Sequence, residues 1–124
     1  MNIFIDNKNG TPIYDQIYTQ IKAQIISGSL PADSLLPSIR SLAKDLCISV
    51  ITTRRAYDEL ENEGFIYTVA GKGCFVSAQN KEFIKEQHLR QIESHMQEII
   101  KLSRICALSR EDVFRMFELM EEEE

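Results

Sequence analysis

The chain is 124 residues long, with 14 Lys and Arg against 19 Asp and Glu, a net charge of −5, 44% hydrophobic residues and three cysteines. That length holds one domain, or a small domain with an attachment, and leaves little room beside its core for the cleft of a large cofactor-dependent enzyme. No run approaches the ~18 apolar residues of a membrane span, and Met1 to Gly10 lacks the basic start and apolar stretch of a signal peptide, so a soluble cytoplasmic protein is expected.

The cysteines, Cys47, Cys74 and Cys106, are odd in number and widely spaced, and read as reduced thiols rather than disulfides or a ligand set. Charge is unevenly distributed. Residues 1 to 78 carry seven basic and eight acidic side chains, residues 79 to 124 seven and eleven. A net negative total argues weakly against nucleic acid, but position matters more than the sum. Arg40, Lys44, Arg54, Arg55 and Lys72 lie in the first part, and Asp58, Glu59, Glu61 and Glu63 bunch just after Arg55.

Thr11 as N-cap and Pro12 at the first helical position predict a helix in which Ile13, Ile17, Ile21 and Ile25 recur every four residues until Gly28. Ser29 to Pro37 holds two prolines and no period, and reads as a connector. Ser38 caps a short second helix with Ile39, Leu42, Ala43 and Leu46 at helical spacing. Cys47 to Ser49 form the turn, and Ser49 caps a third helix running to Glu63, with Gly64 as its stop. Thr53, Ala56, Tyr57 and Leu60 make its buried face; Ile51, Arg55, Asp58 and Asn62 lie opposite, with Arg54 at the border. Two helices joined by three residues form a helix-turn-helix.

Phe65 to Val69, the glycine turn Ala70-Gly71-Lys72-Gly73 and Cys74 to Val76 predict a β-hairpin. The fold class is therefore mainly α with a small β-hairpin: a winged helix-turn-helix over residues 1–78, followed by a helical segment over 79–124. That segment reads as two helices, about Asn80 to Leu102 and Ser109 to Met120, with Ser109-Arg110-Glu111-Asp112 close to a capping box. Glu121 to Glu124 reads as a frayed, solvated tail, because acids are disfavoured at a helix C-terminus.

Helix N-termini carry free N–H groups and the positive end of the macrodipole, and so attract phosphate oxygens. Ser38 and Arg40 stand at the second helix start, Ser49 and Thr52 at the third. If the third helix enters the major groove N-terminus first, Ile51, Arg54 and Arg55 face bases and flanking phosphates. Lys72 at the hairpin tip, beside Gly71 and Gly73, then reaches a neighbouring phosphate or the minor groove. Singly, each residue has a plainer reading: Arg40 and Lys44 as solvated surface, and Arg54 and Arg55 paired with Asp58 and Glu59 one turn on. The coincidence of two helix starts and a wing tip favours double-stranded DNA, with Lys44 left on the surface.

The blocks Leu36-Pro37-Ser38-Ile39-Arg40-Ser41-Leu42-Ala43, Thr52-Thr53-Arg54-Arg55-Ala56-Tyr57, Leu60-Glu61-Asn62-Glu63-Gly64-Phe65-Ile66 and Gly71-Lys72-Gly73-Cys74-Phe75-Val76, opened by Pro12-Ile13-Tyr14-Asp15-Gln16-Ile17, resemble the GntR family of bacterial transcription regulators. The resemblance spans about residues 11 to 77. It implies that Ser38, Arg40, Ser49, Thr52, Arg54, Arg55, Lys72 and Gly73 fall on DNA-contacting positions. The short tail resembles the YtrA-type subfamily, which implies a two-helix dimerisation segment and a repressor acting near its own operon, often one of ABC transporter genes. Two departures stand out. Cys47 occupies a turn position where the family usually has glycine, so either no bare Cα was needed there or the turn is mildly strained. Val50 and Ile51 replace common polar or arginine residues; apolar side chains contact thymine methyls and cannot make bidentate bonds to guanine, so A·T-rich sequence is expected opposite them.

In the tail, Phe83, Ile84, Ile92, Met96, Ile99, Ile100, Val113, Phe114 and Phe117 present more apolar surface than two helices satisfy alone, which favours a homodimer over packing back on the winged helix. Two recognition helices then address half-sites ~34 Å apart on a pseudo-palindrome. Forty-six tail residues hardly enclose a large ligand; a small effector of unknown identity between subunits stays open. His88 and His95 are two helical turns apart, ~10.5 Å, too far to share a metal, and no catalytic constellation is present. No cofactor is expected. The competing reading is a winged helix serving as a protein-interaction adaptor.

Overall fold

The computed structural model describes residues 1–123 and divides into two compact units, Met1–Asn80 and a second beginning at Lys81. In the first unit an extended N-terminal stretch precedes α1 (Ile13–Ser27), α2 (Ile39–Leu46), α3 (Val50–Asn62) and the strands β1 (Ile66–Val69) and β2 (Gly73–Val76). The second unit comprises α4 (Lys81–Ile105) and α5 (Arg110–Glu122). Both helices of the tail are longer than their sequence pattern suggests, and this corrects the reading of its end: Glu121 and Glu122 are helical, Glu123 is the C-cap, and Glu124 lies outside the described residues.

α1 begins one residue later than Thr11 and Pro12 suggest. Pro12 is the N-cap residue, in an extended conformation, and its carbonyl accepts from the amides of Asp15 and Gln16, both at 3.1 Å. No side-chain cap is present, and the Thr11 carbonyl accepts from the Gln16 side-chain amide at 2.9 Å instead of from a helix amide. Ile17, Ile21 and Ile25 are buried, as their spacing demands, whereas Ile13 is exposed. Gly28 ends the helix in the left-handed region at φ 86°.

Beside the isoleucine stripe, α1 carries a second repeat of four. Gln16, Gln20 and Gln24 hold the N-terminal stretch through its backbone. Gln16 accepts from the Asp6 amide at 2.9 Å and donates to the Asp6 carbonyl at 3.2 Å; Gln20 does the same for Phe4 at 2.9 and 2.6 Å; Gln24 donates to the Asn2 carbonyl at 2.7 Å. The match is geometric: four helical residues advance ~6 Å and two extended residues about 6.6 Å, so side-chain amides on a helix stand in for a neighbouring strand. Ile3 and Ile5, between the paired residues, pack on the core.

α2 and α3 start as expected. The Ser38 hydroxyl accepts from the Ser41 amide and the Ser49 hydroxyl from the Thr52 amide, each at 3.1 Å. α3 lies centrally against α1, α2 and β1, and its face of Thr53, Ala56, Tyr57 and Leu60 is buried. β1 and β2 pair antiparallel with Ile66 opposite Val76 and Val69 opposite Gly73. The supposed connector is more ordered than its composition suggests. Leu35 bridges to Phe75, with the Leu36 amide on the Cys74 carbonyl at 2.9 Å and the Val76 amide on the Ser34 carbonyl at 3.0 Å, so part of it covers the free edge of β2.

In the second unit, Ser109 and Asp112 complete a reciprocal capping box, with both bonds at 3.1 Å. No residue of α4 or α5 is buried.

Gln16→Leu removes three hydrogen bonds at a buried site and leaves backbone groups of Asp6 and Thr11 unpaired. A loss of about 2 kcal/mol is expected, read as a lower urea midpoint, whereas Gln24→Leu, whose one bond to Asn2 is exposed, should cost under about 1 kcal/mol. Equal midpoints for the two variants would show that the comb contributes nothing to stability.

Candidate nucleic-acid interface

Tyr57 governs how the two helix starts face one another. Its ring is buried in α3 and its hydroxyl donates at 2.7 Å to the Pro37 carbonyl, immediately before the Ser38 cap. Burial pushes the phenol well above its usual pKa, so it stays a donor throughout the physiological range. One side chain thus ties α3 to the beginning of α2.

The turn between them uses the left-handed conformation that a glycine takes without cost. Cys47 has φ 57°, its amide bonds to the Lys44 carbonyl at 3.2 Å and the Ile48 amide to the Ala43 carbonyl at 2.9 Å, a Schellman ending without glycine. The turn is therefore strained rather than indifferent to the missing glycine. Gly64 ends α3 in the same manner, at φ 82°, with the residue type the motif prefers.

At the start of α3 the surface is apolar and hydroxylic. Ile51 is 82% exposed and Val50 is exposed beside it, while the Ser49 and Thr52 hydroxyls lie 2.8 Å apart. Arg40 and Lys44 are exposed on α2 and make no ion pair among the described residues.

The two arginines of α3 behave differently. Arg54 is 3.8 Å from Asp58, one turn on, with both side chains mostly exposed, so the pairing is weak. Arg55 does not pair with Glu59; its guanidinium lies over the Tyr14 ring of α1, 3.7 Å from the centroid. Tyr14 escapes a sequence reading because the contact joins helices more than forty positions apart.

The acids that follow Arg55 mostly have internal partners. Glu63 accepts from the Tyr18 hydroxyl at 2.6 Å and lies 3.8 Å from Lys22, and Glu61 accepts from the Thr68 hydroxyl at 3.1 Å. Burial, then the Glu63 carboxylate, raises the Tyr18 pKa. With Asp58 on Arg54, three of the four acids in and just after the second half of α3 thereby have protein donors.

At the wing tip, Lys72 is exposed and its amide bonds to the Val69 carbonyl at 3.0 Å, with Gly71 at φ 77° and Gly73 at φ 121°. A Cβ on Gly73 would also meet Leu35 Cδ1 at 3.1 Å, so this glycine has a structural reason to be present. No hydrogen bond or ion pair joins Lys72 to either helix start among the described residues.

Among known proteins, the model of the gntR family of bacterial regulatory proteins matches residues 13–76, the winged unit from the first residue of α1 to the last of β2. The chain belongs to the GntR family. This GntR-family chain is 36% identical over 98 residues to the HTH-type transcriptional repressor YtrA of Bacillus subtilis (strain 168), covering 79% of the chain and 75% of that relative. It superposes with a TM-score of 0.76 at 25% identity on a transcriptional regulator from Oenococcus oeni, over 94% of this chain and 96% of that one. The AraR DNA-binding domain solved in complex with operator ORR3 matches at a TM-score of 0.53 and 27% identity, over 62% of this chain and 93% of that one. The fold is thus the winged helix-turn-helix of GntR regulators.

In the tail of this GntR-family chain, Phe83, Ile92, Met96, Ile99, Ile100, Phe114 and Phe117 are exposed, and Ile84 and Val113 half-buried. The corner between α4 and α5 is again a Schellman ending without glycine, at Ala107 with φ 57°. An apolar groove of about 380 Å³ opens in that angle, lined by Ile99, Leu102, Cys106, Val113, Met116, Phe117 and their neighbours. No group of His, Cys, Asp or Glu able to hold a metal occurs among the described residues, and no helix there is long and apolar enough to cross a membrane.

Cys47→Gly removes the left-handed strain, so the variant should gain about 0.5–1 kcal/mol of stability with unchanged duplex affinity. A thermal midpoint at or below that of the parent would mean that the Cys47 side chain stabilises the turn.

Proposed function

We propose that this chain is a homodimeric transcriptional repressor that occupies a pseudo-palindromic DNA operator in the bacterial cytoplasm and excludes polymerase from a promoter, near its own operon. The observation that carries the reading is the fixed pair of capped helix starts, joined through Tyr57 and Pro37, beside an exposed apolar and cationic surface at the beginning of α3. Its family is one of regulators; a relative is named a repressor, and a similar domain is solved on operator DNA.

In this reading the free amides at the two helix starts, with Ser38, Arg40, Ser49 and Thr52, hold phosphates and set the register. Ile51, with Val50 next to it, meets thymine methyls, and Arg54 exchanges its weak contact with Asp58 for a base edge. Arg55, Lys72 and the close-approaching backbone at Gly73 act on flanking phosphates. Binding is driven by the local placement of these cations, while of the neighbouring acids Glu63 lies by Tyr18 and Lys22 and Glu61 by Thr68.

The second unit supplies the partner surface. Two amphipathic helices with no buried residue do not form a core of their own, and a second copy provides one. Phe83, Ile84, Ile92, Met96, Ile99, Ile100, Val113, Phe114 and Phe117 become the shared core. The groove at the α4–α5 corner takes apolar side chains of the second copy, and a small effector would compete for that volume. The regulated genes follow from genome position; ABC transporter genes beside the coding sequence would agree with the subfamily resemblance.

The test is binding of the full chain to its own upstream duplex over a range of salt. A steep fall in affinity with salt is expected, whereas a protein-interaction adaptor would show none. Arg54→Ala should cost ~1–3 kcal/mol and relax sequence preference, and Lys72→Ala should weaken all duplexes about equally. Sites selected from random duplexes should be A·T-rich opposite Ile51; a strict guanine there contradicts the assignment. Phe117→Glu should shift the chain from dimer to monomer in sedimentation, and a monomeric parent would refute the dimer.

A further inference from the structure

Arg55 raises a question that its charge alone does not answer. An acid, Glu59, lies one turn further along α3, yet the guanidinium is found on the ring of Tyr14, 3.7 Å from its centroid. An ion pair engages the N–H donors of an arginine and cancels its charge. Stacking on an aromatic face uses only the π surface of the guanidinium, leaving the charge intact and the in-plane donors available.

The ring is itself held firmly. Tyr14 is half-buried and packed against the core of the first unit. It lies in the first turn of α1, where the Pro12 carbonyl accepts from Asp15 and Gln16, and where the Gln16 side chain fastens both the Thr11 carbonyl and the backbone of Asp6. The N-terminal stretch and the glutamine comb thus fasten the turn of α1 that carries the ring. An arginine held this way loses less rotamer freedom on meeting an anion than one that is free in solvent.

We propose that Tyr14 is a positioning residue for DNA binding: its ring pre-orders the Arg55 guanidinium, uncancelled by acids, for a backbone phosphate beside the major groove. The proposal rests on the DNA-binding reading above and deepens it, because it assigns α1 a role in recognition although Tyr14 itself touches no base. The contact is independent of sequence.

The experiment is a double-mutant cycle on the full chain, with two duplexes of equal length: one enriched from random sequence by the parent protein and one scrambled. Tyr14→Met, which preserves apolar packing, should weaken binding to both duplexes about threefold per subunit. Tyr14→Phe should match the parent. Arg55→Gln should reduce the slope of log K against log salt by about 0.9 per subunit, and Tyr14→Met should then have no further effect in that background. Equal losses from Tyr14→Met with and without Arg55 would overturn the proposal, because Tyr14 would then act through the fold. So would a parental salt slope for Arg55→Gln, which is informative even if the Tyr14 variants fold poorly. Absence of any salt-dependent duplex binding by the parent would instead overturn the DNA-binding reading itself, and this proposal with it.

Discussion

The hydrogen bond from Tyr57 to the Pro37 carbonyl is the constraint on which the rest of the winged unit depends. A buried phenol must find an acceptor, and the acceptor here belongs to the residue before the α2 cap. Satisfying that one donor therefore fixes the distance between the middle of α3 and the start of α2. The turn at Cys47 tolerates a left-handed residue with a side chain because the packing on either side determines its path. Caps, turn and core agree on a single arrangement, in which two sets of free amides come from adjacent helices.

Electrostatics follow from that geometry rather than from composition. In a chain of net charge −5 the character of any one surface depends on which groups its acids and bases contact. Glu63 faces Tyr18 and Lys22, and Glu61 faces Thr68, both through interactions that also brace α1 and the wing against α3. Among the described residues Arg40, Lys44 and Lys72 form no ion pair, and Arg55 rests on a ring. The contacts that hold the unit together thus engage Glu61 and Glu63 and leave these four cations without an acidic partner among the described residues.

Much of this was legible in the sequence where the determinant is local. Ser38, Ser49 and Ser109 cap the helices they precede, Gly28 and Gly64 end helices, and Thr53, Ala56, Tyr57 and Leu60 form a face, because each depends on spacings of four residues or fewer. What escaped depends on pairing across the chain. Nothing local says that Gln16, Gln20 and Gln24 will hold an extended segment, although their spacing of four beside the isoleucines was the available signal. Leu35 and Ser34 sit in a proline-bearing stretch and reach order only through β2. Arg55 was expected on Glu59 or on DNA, and the ring of Tyr14 is visible only once α1 and α3 are packed. The cap falls on Pro12 rather than Thr11, whose carbonyl is bound by a glutamine side chain, and the acid run at the tail remained helical through Glu122 despite an unfavourable dipole.

The two units differ in surface character. One presents hydrogen-bond donors and charge, the other an apolar surface with no core of its own. The central claim is that duplex DNA meets three short stretches of the first unit together. Amide chemical-shift mapping of the labelled full chain, titrated with its upstream duplex, tests this most directly. The account predicts the largest shifts at residues 38–41, 49–52 and 71–73. Shifts concentrated in α4 and α5, or confined to only one of the three stretches, would contradict it.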